Sequence, residues 1–171
     1  MEIRLSRCTL RPWRAGDEAS LERHANNRSV SRNLRDRFPY PYTAADAKEW
    51  VALVSPRLPV RDFAIVVDGA AVGGISVEPK AAERRHSAEI GYWLGEPFWG
   101  RGIATEALRA VSDYAFATFD IWRLEAGVFD WNPASARVLE KAGYILEGRA
   151  RRAVVKDGRA GDRLLYGLLR P

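Results

Sequence analysis

The chain has 171 residues, 47% of them hydrophobic, and 27 Lys+Arg against 22 Asp+Glu give a formal charge of +5. Those figures suit one compact domain, residues 1–171, with a sizeable core, and the modest basic excess favours anionic over polycationic partners. Cys8 is the only cysteine, so an intrachain disulfide is excluded and a reducing, cytoplasmic compartment is expected. "MEIRLSRCTLRPW" carries scattered arginines and no apolar h-region, so no signal peptide is expected. No apolar run approaches the roughly 20 residues of a membrane span.

"IRLSRCTLRPW" alternates loosely and predicts a first strand, with Cys8 inside it as a core residue rather than a nucleophile. Asp17 opens a helical stretch through Leu21 and Ala25. Thr43 and Asp46 form a Thr-x-x-Asp start signal for a second helix, with Trp50, Val51 and Val54 on its buried stripe. "FAIVV" and "AVGGISV" flank Asp68-Gly69, a hairpin signal, and "AEIGYWLG" reads as the next strand. Ile103–Phe116 reads as a helix with Ala104, Leu108, Val111 and Ala115 on one face. "RLEAGVFD" is a further strand. Asn132-Pro133 then supplies a helix cap and first turn, and Gly143 a left-handed end. "ARRAVVKDGRAGDRLLYGLL" reads as two strands about Asp157-Gly158. The sum is an α+β, or mixed α/β, three-layer plan: a mostly antiparallel central sheet with helices on both faces.

"PFWGRGIATEAL" places Gly100 and Gly102 directly before a helix, where glycine's flexibility needs a reason. A glycine-rich strand–loop–helix offers main-chain N–H groups and a helix N-terminus to an anion. No Gly-Lys-Ser/Thr follows, and the third glycine of a dinucleotide fingerprint is misplaced. A diphosphate gripped by backbone is the expected anion, with tight turning alone as the bland alternative.

"EIGYWLGEPFWGRGIATEAL" followed by "NPASARVLEKAGY" resembles the acyl-CoA and helix signatures of the GNAT N-acetyltransferases, and more narrowly their RimJ/RimL-like branch. The looser pattern, from "LRPWRAGDEASL" to "DRLLYGLL", covers nearly the whole chain. The resemblance implies a GNAT-like fold and acetyl-CoA as co-substrate. It implies that Gly100, Arg101, Gly102, Ile103, Ala104 and Thr105 hold the pyrophosphate through main-chain amides, with Trp99 beside them in the cofactor site and Trp93 and Leu94 presenting backbone to the pantetheine arm and thioester. It further implies contacts from Asn132 and Ser135 to that arm. Trp99 departs from the family's usual Gln or Arg in a way common to the RimJ/RimL-like branch. The tyrosine acid that many relatives carry seven residues after the asparagine is replaced by Leu139, which leaves Ser135, a water or no acid at all for the departing thiolate.

Acetylating an amine requires its neutral form, hence a general base. Glu89 is the candidate, because strand alternation puts Glu89, Gly91 and Trp93 on one face and burial beside Trp93 would raise its pKa. A backbone N–H near Leu94 would stabilise the oxyanion. The expected acceptor is a peptide or protein N-terminal α-amine. A small-molecule amine acetyltransferase and a non-catalytic acyl-CoA-binding or ribosome-associated module are the rivals. The basic runs "ERRH" and "GRARR" lack the interleaved aromatics of a single-strand binder, so nucleic acid is disfavoured. His24 and His86 stand apart, and no metal-ligand spacing occurs. Acceptor specificity is expected in "NLRDRFPYPY" and the C-terminal hairpin, and the sequence leaves a homodimer open.

Overall fold

A computed structural model describes residues 1–171. Its eight strands form one sheet in the order β1-β2-β3-β4-β5-β6-β8-β7. The predicted first strand is two short ones, β1 (Ile3–Arg4) and β2 (Thr9–Pro12), folded on each other about Ser6 and Arg7. The Glu106 carboxylate holds that turn, accepting from the Ser6 and Arg7 backbone N–H groups, each at 3.0 Å. Cys8 is 7% exposed, and burial followed by the charge of Glu106 pushes its thiol up to about 11, so it packs rather than reacts.

Asp17 precedes α1 (Glu18–Ala25) as expected but makes no side-chain cap; its carboxylate is buried instead in a two-pronged pair with Arg11, 2.7 Å on each arm. A short α2 (Arg28–Ser31), capped by Asn27, has no counterpart in the sequence reading, since four residues show no periodicity. Thr43 and Asp46 close a reciprocal capping box on α3 (Ala44–Val54). Strands β3 (Asp62–Val67), β4 (Ala70–Pro79) and β5 (Ser87–Leu94) form an antiparallel meander. Then come α4 (Ile103–Thr118), β6 (Arg123–Phe129), α5 (Pro133–Lys141) and the hairpin β7 (Ile145–Lys156)–β8 (Arg159–Leu169).

Period-two alternation divides the core between the two sheet faces. Phe63, Ile65, Ile90, Leu124 and Ala126 pack with Leu108 and Val111 of α4 and Leu139 of α5. Ala64 and Val66 pack on the opposite face with Leu21 of α1 and Val51 of α3. The expected three layers are therefore present. No helix is long and apolar enough to cross a membrane.

Candidate active site

Strands β5 and β6 are the only parallel neighbours in the sheet, and they pair over just three residues, ending at Glu89↔Glu125. Beyond that point they part. A cavity of about 280 Å³ fills the opening and touches both faces of the sheet. On the α1/α3 face it is bounded by Glu89, Gly91 and Trp93, with Trp13, Asp62 and the 33–39 loop. On the α4/α5 face it is bounded by Tyr92, Asn132, Ser135 and Leu139. A reagent on each face can therefore meet through the gap. The expected specificity loop lines this cavity, and the C-terminal hairpin contributes Arg163.

Glu89, Gly91 and Trp93 do share a face, but the surroundings of Glu89 differ from expectation. The indole of Trp93 packs edge-on against Phe38 at 5.5 Å. The Glu89 carboxylate instead pairs with Arg35 and with Lys80 at 2.7 Å, and the Arg163 guanidinium stands 3.8 Å away. The carboxylate therefore sits among three cations rather than against the Trp93 indole that the sequence alone suggests. The register explains their number: Glu78, Glu89 and Glu125 lie side by side on three adjacent strands, and like charges so placed need counter-charge. A second carboxylate sequence reasoning missed is Asp62, 5% exposed at the cavity wall. Burial pushes its pKa up, against the opposing pull of Arg57 at 3.1 Å.

The glycine loop lies past the end of β5 and outside the cavity lining. Gly100 and Gly102 have φ of +75° and +76°, a region only glycine enters without strain. A Cβ on Gly100 would meet nothing within 4 Å, so open space faces the loop. Gly102 is the N-cap of α4 and gives it no side-chain cap, which leaves the first-turn N–H groups, those of Ile103, Ala104 and Thr105, for an external acceptor. The Ile103 side chain is core, so only its backbone serves the loop. The Trp99 indole donates to the Leu94 carbonyl at 2.7 Å, and Arg101 lies over the Phe98 ring at 5.3 Å. The first ties the loop to the end of β5, and the second braces the loop on itself.

Asn132 caps α5, its side-chain oxygen accepting from the Ser135 N–H at 3.2 Å. The Ser135 hydroxyl is not a cap: it meets the Tyr92 hydroxyl at 2.9 Å, and Tyr92 also reaches the Ser135 carbonyl at 3.0 Å. Burial drives the Tyr92 pKa far above that of a free phenol, so this group stays neutral. Sequence reasoning missed Tyr92 because it weighed only the odd-numbered face of β5. Alternation puts Tyr92 on the other face, toward α5. Asn132→Ala is expected to cost about 0.5–2 kcal/mol, the usual loss for a cap. Ser135→Ala should cost less, near the low end of about 0.5–1.5 kcal/mol for one hydrogen bond, because Tyr92 keeps the Ser135 carbonyl as acceptor. Melting curves of the two free variants test that order.

With this geometry in hand, the family model "Acetyltransferase (GNAT) domain" matches residues 7–145. The chain belongs to the GNAT acetyltransferase family. This GNAT chain is 41% identical over 104 residues to the probable N-acetyltransferase YjcK of Bacillus subtilis, covering 61% of this chain and 58% of that protein. It is 33% identical over 86 residues to the [Ribosomal protein uS5]-alanine N-acetyltransferase of Escherichia coli, covering 50% of this chain and 44% of that one. Among solved structures, Mycobacterium smegmatis RimJ in complex with CoA-disulfide superposes with a TM-score of 0.81 at 28% identity, over 95% of this GNAT chain and 81% of RimJ. The match thus spans little more than half the length of YjcK. The GNAT signature falls on the elements described above: the β5–loop–α4 unit and the start of α5 both lie inside the matched range.

Proposed function

We propose that residues 1–171 act as one acetyltransferase domain that moves the acetyl group of acetyl-CoA to a primary amine, most closely a protein or peptide N-terminal α-amine. The observation that carries this reading is the parting of β5 and β6 after Glu89. It sets a carboxylate on one face and a hydroxyl pair on the other, at two sides of one opening. The CoA compound in the RimJ structure supports the co-substrate, and the protein-alanine acceptor named for the E. coli relative supports the amine. The unpaired Cys8 fits a cytoplasmic setting.

Acetyl-CoA supplies an activated acyl group as a thioester. Gly100 to Thr105 bind its diphosphate through main-chain N–H groups, with Trp99 and Arg101 bracing the loop. Trp93 and Leu94 offer backbone to the pantetheine arm, and Asn132 sets the entrance of α5. Glu89, directly or through water, takes a proton from the attacking amine. Tyr92, held neutral, donates to the Ser135 carbonyl and meets the Ser135 hydroxyl at 2.9 Å, so the hydroxyl pair is fixed beside the gap, where it or a water supplies a proton to the departing sulfur. Leu139 is fully buried and lines the gap, so its position offers no acid. Tyr92→Phe is expected to lower kcat several-fold with little change in acetyl-CoA affinity. Single-turnover rates beside equilibrium titration with CoA check both halves.

The deciding experiment is release of free CoA thiol from acetyl-CoA in the presence of N-terminal peptides, of amine metabolites, or of neither. Turnover with peptides alone is expected. Turnover with metabolites alone would make the acceptor a small molecule. CoA binding without turnover on any amine would make the chain a binding module.

A further inference from the structure

A second concavity, of about 340 Å³, lies between α2 and the β7–β8 turn. It is bounded by Arg28, Arg32, Lys156 and Arg159, with Trp131 at its wall and Asp157 as its only carboxylate. None of these residues belongs to the basic runs that stand out in the sequence. Strand pairing and the short α2 gather them from positions more than 120 apart. Arg28 is matched by Asp157, and Lys156 by Asp36 at 2.8 Å. Arg32 and Arg159 have no carboxylate partner, so the concavity carries an uncompensated double positive charge.

This cleft adjoins the acceptor side of the gap. The Phe129 ring lines the gap and packs at 4.8 Å, tilted by 44°, against Trp131, which lines the cleft, and the Trp131 indole donates to the Arg32 carbonyl at 3.2 Å. Along β8, Arg163 stands beside Glu89 and Arg159 lies four residues earlier. At about 3.3 Å per strand residue that is about 13 Å, the reach of about four extended residues. The Trp131 ring already carries Arg159 on it, centroid distance 5.8 Å, and Phe129 beside it. Gly161 also leaves no room for a Cβ beside that ring, so Trp131 is crowded, unlike the open aromatic platforms on which single-strand nucleic-acid binders stack bases. Two unpaired guanidinium forks suit carboxylates.

We propose that this cleft binds an acidic polypeptide segment of the acceptor, with Asp or Glu side chains about four to six residues beyond the amine. That this segment belongs to the acceptor rests on the N-terminal-amine reading, while the docking site itself stands on the cleft alone.

The test uses a decapeptide rich in Glu beyond its fourth residue, its Glu→Gln counterpart, and a single-stranded RNA oligonucleotide. Binding of the N-acetylated, hence unreactive, Glu peptide is measured by calorimetry on the wild type and on the Arg32→Ala, Arg159→Ala double variant. Both side chains are exposed, so the variant should fold. The Glu peptide should bind at least tenfold more tightly than the Gln peptide, lose at least tenfold in the variant, and weaken as salt rises. With free-amine peptides the variant should raise KM for the Glu peptide while kcat holds, and leave a tail-less amine unaffected. Equal binding of the two peptides, or an unchanged variant, would overturn the proposal. So would RNA that binds more tightly than the Glu peptide and depends on Arg32 and Arg159. Binding of the acetylated peptide without acetylation of its free-amine form would overturn the acceptor reading and leave the docking site intact.

Discussion

Glu89→Gln is expected to lower acetyl transfer at neutral pH by about 10²–10⁴-fold, the usual contribution of a general base, while CoA affinity holds. The amide keeps the side chain's size but neither takes a proton nor balances Arg35, Lys80 and Arg163. The pH dependence separates these two losses. An N-terminal α-amine titrates near about 7.7–8.0, so its neutral fraction rises between about pH 7 and 9 and the need for a base declines. A defect that shrinks across that range marks proton abstraction. A defect that persists marks charge balance alone, and full activity at neutral pH would remove Glu89 from the chemistry. The pH–rate profile of kcat/KM for wild type and variant decides among them.

Gly102→Val should weaken CoA binding at least tenfold, about 1.4 kcal/mol, and should also destabilise the free protein. Two causes act together. A left-handed φ of +76° penalises any side chain, and a β-branched one most. A Cβ there would also stand 3.4 Å from the Arg7 Nε, at the loop surface where a diphosphate would lie. Gly100→Ala separates the causes, because its φ is equally left-handed at +75° yet a Cβ meets nothing within 4 Å. Calorimetry with CoA on folded samples, beside melting curves, reads both. Unchanged affinity in folded Gly102→Val would remove the loop from the diphosphate.

Local order was legible in the chain. Asp68-Gly69 makes its hairpin with Asp68 and Gly69 both at positive φ, Thr43 and Asp46 close their box, and Asn132 caps α5. Each depends on a few adjacent residues whose chemistry acts over one turn. Asp17 shows the limit. Its place marks where a helix opens, as the sequence suggests, but Arg11 lies six residues away and takes both carboxylate oxygens in a buried pair that spacing alone does not show. A charge-assisted, two-pronged bond outweighs a single backbone N–H. Only the pairing of β2 beside β3 reveals that Arg11 is buried there.

The same division runs through the candidate site. By itself the sequence determined the alternation that aims Glu89 and Trp93 one way and Tyr92 the other, the glycines that turn the loop before α4, and the family those motifs resemble. Such features follow from φ/ψ limits and strand periodicity, which act within a few residues. Tertiary structure alone decided that β5 and β6 separate after Glu125, that Arg35, Lys80 and Arg163 converge on Glu89, and that Tyr92 meets Ser135 43 positions away. It likewise decided that Arg28, Arg32, Lys156 and Arg159 share one cleft. Charges and hydroxyls interact through space, and strand order, not spacing along the chain, sets which of them come within reach.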